Sequence, residues 1–149
     1  MLTTGRLLER VPSEKGQWKP HPKSFALGHL AQLISWMPAW ITNAVLEDSL
    51  DLATAPKYTF ETTTTLLRGF EENVRSAHAA LADASDADFA KTWVLKHGDR
   101  TLYSAPRVVV VRTHINHLVH HRGQLTVYLR LLDVPLPPIY GPTADERPF

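Results

Sequence analysis

Four histidines fall within eight consecutive residues of this 149-residue chain, at His114, His117, His120 and His121. Imidazole is the commonest metal ligand, and two histidines four residues apart on a helix stack on one face, where both can reach one ion. His117 and His121 have this spacing. At about 100° per residue they share the apolar stripe of Leu125, whereas His120 points to its flank. The pattern therefore favours His117 and His121 as a metal-binding pair, with an unligated pair as the alternative.

A third ligand has to come from another helix. His29 is the candidate, because it lies one turn from Leu33 on the core-facing stripe of the second helical segment; the alternative is a surface histidine. Three neutral ligands leave a coordination position open for water or substrate, as in catalytic metal sites. Imidazole ligands without an evident carboxylate indicate zinc or nickel. The predicted metal ligands are therefore His29, His117 and His121.

The composition excludes several kinds of protein. The chain has no cysteine, which excludes disulfides, thiolate zinc sites, cysteine-ligated iron-sulfur clusters and a cysteine nucleophile. Sixteen Lys and Arg against fifteen Asp and Glu leave a net charge of +1, so nucleic acid is not an expected partner. The N-terminus does not resemble a secretory signal, and no stretch approaches the roughly 20 apolar residues that span a bilayer. We therefore predict a cytoplasmic protein that is a single domain over residues 1–149.

Helical periodicity and proline punctuation predict the elements that hold these histidines. Ser24 is the expected N-cap of the second helical segment, and Pro38 is expected to kink it. Around His97-Gly98-Asp99 the pattern indicates a small hairpin or extended excursion. The five prolines after Leu132 predict an extended C-terminal arm that lies on the bundle. The fold class expected is all-α, an antiparallel helical bundle. Its four helical segments are 2–11, 24–48, 60–81 and 107–132.

Three polar side chains near the histidine pair have two interpretations each. Arg122 either pairs with Asp145 or Glu146 of the arm or is a solvated surface charge. Gln124 or Asn116 either orients a ligand imidazole or is an ordinary surface amide.

The motifs around the pair resemble those of a known family. The run HLVHHRGQL at 117–125, followed by TVYLRLL and later IYGPTADE, resembles the DinB family of helical-bundle metalloproteins, the DinB/YfiT-like superfamily. WKPHPKS at 18–24, LGHLAQL and Pro38-Ala39-Trp40 are also similar to that family, so the resemblance covers most of the chain from residue 18 onward. It implies an up-down-down-up four-helix bundle, frequently a homodimer, with a divalent metal held by three histidines.

The resemblance places two of those ligands at His117 and His121 and leaves the third open. Many family members carry the third ligand in the second helix within a pattern LA-x-H, at a position that is occupied here by Leu33. His29 lies one turn earlier on the same face, and His21 in the WKPHPKS passage is a further candidate, with an exposed-loop histidine as its alternative.

The resemblance also implies an activity. Some relatives are metal-dependent thiol S-transferases that use bacillithiol or mycothiol, and others resemble hydrolases or isomerases. We therefore expect a metal-dependent transferase or hydrolase with a small-molecule substrate, and a homodimer that forms through two helices. A non-catalytic metal-binding or stress-response bundle is the alternative.

Overall fold

The computed structural model describes residues 1–147, which form helices around a central core with a small sheet at one end. The helices are α1 (Leu2–Leu8), α2 (Leu27–Leu46), α3 (Thr63–Asp83), α4 (Asp86–Ala90) and α5 (Arg107–Leu131), and the strands are β1 (Ser49–Asp51), β2 (Thr92–His97) and β3 (Arg100–Pro106). Helix α2 packs against α3 and against α5, which is the longest helix with 25 residues. The short helix α1 also contacts α3 and α5.

The expected all-α class is wrong, because the chain also forms a three-stranded mixed sheet. The hairpin expected around Gly98 is present as antiparallel β2 and β3, and Gly98 has a φ of +58°, which glycine adopts without strain. The strand β1 lies between the second and third predicted helical segments, where no element was expected. It pairs with β2 in parallel, with Leu50 opposite Leu95. Three residues carry too little periodicity to predict a strand, and their partners lie far along the chain.

The start of α2 differs from expectation for a physical reason. Its N-cap is Ala26 rather than Ser24, and no side chain caps it. Instead the Leu27 and Gly28 amides donate to the carbonyls of Trp18 and Gly16, both at 2.9 Å. The proline-rich passage before the helix therefore satisfies the free amides at its first turn with its own backbone. Pro38 lies inside α2, as expected.

The C-terminal arm is extended, as its prolines predict, and it packs Leu136 and Ile139 against the main core. Neither interpretation of Arg122 is right. Arg122 is buried and donates to the Tyr140 hydroxyl at 2.6 Å and to the hydroxyl of Thr4 at 3.3 Å. The two acidic residues that it was expected to bind pair with other arginines: Asp145 binds Arg130, and Glu146 lies 2.6 Å from Arg10.

Within residues 1–147, no helix combines the length and the apolarity that crossing a bilayer requires.

Arg107 fixes the first turn of α5 to the last turn of α2. Its side chain is 5% exposed, and it donates to the carbonyls of Val45 and Glu47 and to the carboxylate of Asp48 at 2.8 Å. Carbonyls in the last turn of a helix have no partner within the helix, and a cation is favoured at that end by the helix dipole. Arg107 therefore joins two long helices at the point where the chain enters β1.

We expect Arg107→Met to lower the free energy of unfolding by about 2–4 kcal/mol, because it removes the buried donor of several hydrogen bonds and leaves two carbonyls unpaired. Urea unfolding followed by tryptophan fluorescence measures this. The matched control is Arg112→Met, at an exposed position on the same helix. Equal stability of the two variants would contradict a capping role for Arg107.

Candidate metal centre

The centre is built on the face of α5 that packs into the core. Leu118 and Leu125 from this face are 3% and 0% exposed, and His121 lies between them with 8% of its surface exposed. His117 is one turn earlier on the same side of the helix and is half-buried. Their Nε2 atoms are 2.9 Å apart, with ring centroids separated by 4.6 Å. The structure therefore brings together two of the three predicted ligands.

Gln124 determines which nitrogen of His121 carries the proton. The Nδ1 atom of His121 lies 2.6 Å from the Gln124 side-chain oxygen, which accepts a hydrogen bond and so requires a proton on Nδ1. The Nε2 atom of His121 is then left with a lone pair, to which the Nε2–H group of His117 donates. Gln124, one of the two amides considered for this role, thus orients the imidazole with its free nitrogen toward His117.

The surroundings keep both imidazoles neutral. Burial is the main cause that lowers the pKa of His117, and the neighbouring His121 and His120 lower it further. Burial also lowers the pKa of His121, although its hydrogen bond to Gln124 acts in the opposite direction. A neutral imidazole is the form that binds metals, so this environment favours the ligating state at neutral pH.

The two nitrogens have a geometry and chemistry that fit a shared metal ion. Two imidazole nitrogens that bind one tetrahedral zinc, each at about 2.0–2.1 Å, lie about 3.3 Å apart. The observed Nε2 separation of 2.9 Å is a few tenths of an ångström shorter. A metal ion could therefore replace the shared proton if the two Nε2 atoms moved apart by a few tenths of an ångström.

The third predicted ligand, His29, lies apart from this pair. Its ring is stacked between Phe25, at 4.4 Å between centroids, and Tyr58, at 3.9 Å, and Tyr58 in turn stacks on Trp36 at 4.7 Å. The Phe25 ring is also 6.3 Å from that of His121, so one aromatic ring is a neighbour of both His29 and the pair. Among residues 1–147 no group of three or more His, Cys, Asp or Glu side chains is arranged to hold a metal ion. A ligand role for His29 stays a prediction.

The aromatic residues that surround His29 could not be predicted from the sequence. Tyr58 belongs to the loop between β1 and α3, and nothing in the local pattern shows that this loop folds back on α2. Phe25 is held at its place by the Tyr128 hydroxyl, which donates to the Phe25 carbonyl at 3.3 Å. His21 lies in the exposed passage before α2, where its Nδ1 atom accepts from the Lys23 amide at 3.1 Å.

His114 is a second buried imidazole that sequence reasoning treated only as a neighbour of the pair. Its ring lies 5.7 Å from Trp40 and 6.1 Å from Trp93, measured between centroids. Both of its nitrogens are buried without a hydrogen-bond partner in the part of the chain that the structure describes. Burial lowers the pKa of His114 to about 4, and the nearby His117 adds to this shift. Its position three residues before His117, on the same stripe, is the signal that could have predicted its burial.

We expect His114→Phe to flatten the dependence of stability on pH. With a folded pKa of about 4 against the ordinary 6.5, His114 binds protons preferentially in the unfolded state, so stability is full above pH 6.5 and falls as the pH falls toward 4. Between pH 8 and pH 5 this amounts to about 2 kcal/mol. Phenylalanine has a similar shape and does not titrate.

Urea unfolding at a series of pH values measures the effect. The control is His78→Phe, the same change at an exposed position on α3, which should leave the slope unchanged. Parallel pH profiles for wild type and His114→Phe would refute the role given to burial.

Comparisons with known proteins place the fold in one family. The family model described as the DinB family matches residues 3–147. A DinB-like protein of Bacillus subtilis, YjoA, has a TM-score of 0.73 and 19% identity, over 93% of this chain and 90% of that protein. A DinB-like protein of Bacillus cereus ATCC 10987 has a TM-score of 0.68 and 22% identity, over 93% and 89%. No curated protein matches the chain. At these identities the structural matches show a shared fold.

Proposed function

Since the chain belongs to the DinB family, we propose that it binds a divalent transition metal, zinc or nickel, through the Nε2 atoms of His117 and His121. The observation that supports this proposal is the convergence of these two atoms to 2.9 Å, with Gln124 holding the proton of His121 on the opposite nitrogen. We propose His29 as the third protein ligand. Its ring has to leave the stack between Phe25 and Tyr58 to reach the pair.

The proposed activity is that of a metal-dependent transferase or hydrolase on a small molecule. Bound at this pair, a divalent metal with an open coordination position supplies Lewis acidity, which makes a water or a thiol nucleophilic at neutral pH. The chain has no cysteine, so a reacting thiol comes from a second substrate. Gln124 orients His121, and the Trp40 ring lies 6.1 Å from that of His117, measured between centroids.

A non-catalytic metal-binding protein is the second candidate, and it is favoured by the absence of a three-ligand group among the residues described. Both candidates share His117 and His121 as ligands. They differ in whether the loaded protein turns over a thiol or ester substrate.

Metal content after loading with zinc or nickel and gel filtration tests the ligand set. We expect about one metal per chain in wild type and loss of the metal in His117→Ala and His121→Ala. His29→Ala should bind about tenfold more weakly or worse, because even loss of an outer partner of a ligand costs about that much. The matched control is His120→Ala, an exposed histidine of the same cluster, which should load as wild type does.

Two results would count against the proposal in different ways. Wild type with less than about 0.1 metal per chain after loading would end it altogether. If His29→Ala binds the metal as tightly as wild type and His117→Ala does not bind it, His29 is not a ligand, and His117 and His121 remain the proposed ligands.

We also propose a homodimer in which α5 packs against α5 of a second copy. The outer face of this helix carries apolar side chains that are 39–57% exposed, namely Val108, Ile115, Val119 and Val127. A Cβ built at Gly123, on the same face, meets nothing within 4 Å, so the space above it is open to a close helix. A row of exposed apolar residues on one helix is typical of a contact between subunits.

Light scattering coupled to gel filtration tests the dimer. We expect twice the mass of the 16.8 kDa chain for wild type and the single mass for Val119→Arg, which places a charge in the centre of the contact. Leu102→Arg is the control, since Leu102 is equally exposed but lies on β3. A wild-type protein of single mass would overturn the proposal.

A further inference from the structure

A cavity of about 300 Å³ lies at the start of α2, beside the aromatic stack that contains His29. Its polar lining consists of five side chains that can donate hydrogen bonds: Gln17, Lys19, Ser24, His29 and Tyr58. Lys19 is the only formal charge among the described residues that line the cavity, and none of them is a carboxylate. The cavity is therefore a site of positive sign in a chain that is otherwise close to neutral.

The donors of this cavity are free to bind a ligand. Lys19 makes no ion pair with any carboxylate in residues 1–147. An anion in the cavity would be favoured by the Lys19 ammonium and by the hydrogen-bond donors of His29 and Tyr58.

One wall of the cavity is apolar and tightly held. The Phe60 ring packs so closely on Gly16 and Gly28 that a Cβ at either glycine would lie 2.8 Å and 2.5 Å from it, respectively. Phe25 also lines the cavity, and its ring lies 6.3 Å from that of His121, measured between centroids. The cavity therefore combines a cationic group with two aromatic rings, one of which is also a neighbour of the histidine pair.

We propose that this cavity binds a small organic carboxylate, with its carboxylate group at Lys19 and its apolar part against Phe25 and Phe60. The inference rests on the proposed function in one respect: we assign this carboxylate as the substrate or co-substrate of the metal site, because the Phe25 ring that lines the cavity also lies 6.3 Å from the His121 ring, measured between centroids. A single ammonium without an arginine matches a monoanion better than a phosphate dianion. The volume admits about ten non-hydrogen atoms, at the lower end of the range of ligand pockets.

Titration with benzoate, followed by the NMR signals of the His29 and Tyr58 rings, tests the site. Benzamide is the matched neutral probe, since it has the same shape and no charge. We expect benzoate to shift both ring signals in the metal-free protein. Benzamide should bind the wild-type protein about fivefold more weakly than benzoate does, and benzoate should bind Lys19→Gln about fivefold more weakly than it binds wild type. Lys23→Gln is the control, because Lys23 is an exposed lysine of the same passage and does not line the cavity.

Three outcomes would overturn the carboxylate site: no shift of either ring signal up to tens of millimolar benzoate, equal affinity for benzoate and benzamide, or unchanged affinity in Lys19→Gln. The same titration with His117→Ala separates this site from the metal centre. Binding that persists in His117→Ala supports the cavity by itself, even if metal analysis refutes the proposed function. Binding that requires both metal and His117 shows that benzoate ligates the metal, which overturns the cavity proposal and leaves the metal centre in place.

Discussion

Burial of one face of α5 is the constraint on which the rest of the structure depends. Leu118, Leu125 and Leu129 occupy this face and are at most 3% exposed, and helical periodicity places His121 in the same row. An imidazole in such a place is costly as a cation and tolerable as a neutral base with hydrogen-bond partners. The packing that stabilises the bundle is thus also the cause that keeps His117 and His121 in the state able to bind a metal.

The sequence predicted those features that depend on local periodicity. The bounds of α5 follow from a long helical pattern, and the contact between His117 and His121 follows from a spacing of four within it. The hairpin around Gly98 follows from a turn sequence between two alternating segments.

The features that the sequence did not predict depend on contacts between distant segments. The strand β1 exists because β2 offers it an edge, and the first turn of α2 is capped by Gly16 and Trp18 carbonyls rather than by Ser24. The same holds for the candidate site, where contacts between distant segments were not predicted. The position of His29 on a helix face was predictable, but the ring of Tyr58 that covers it comes from a loop without periodicity. No local pattern encodes such a contact, so the aromatic stack could be known only from the folded chain.

Phe25 is a neighbour of both the aromatic stack and the histidine pair. Its ring stacks on His29 and lies near His121, and its carbonyl is held by Tyr128 of α5. The residue therefore connects the passage before α2, the aromatic stack and the histidine pair through rings in van der Waals contact or close to it.

The salt bridge between Arg10 and Glu146 joins residues that are 136 positions apart, at 2.6 Å. The seven residues of α1 are too few for a stable isolated helix. Thr4 and Tyr140 meet at Arg122, so α1 and the C-terminal arm hold each other in place. The two ends of the chain are therefore bound to each other as well as to the bundle, and we expect a change in either end to loosen the other.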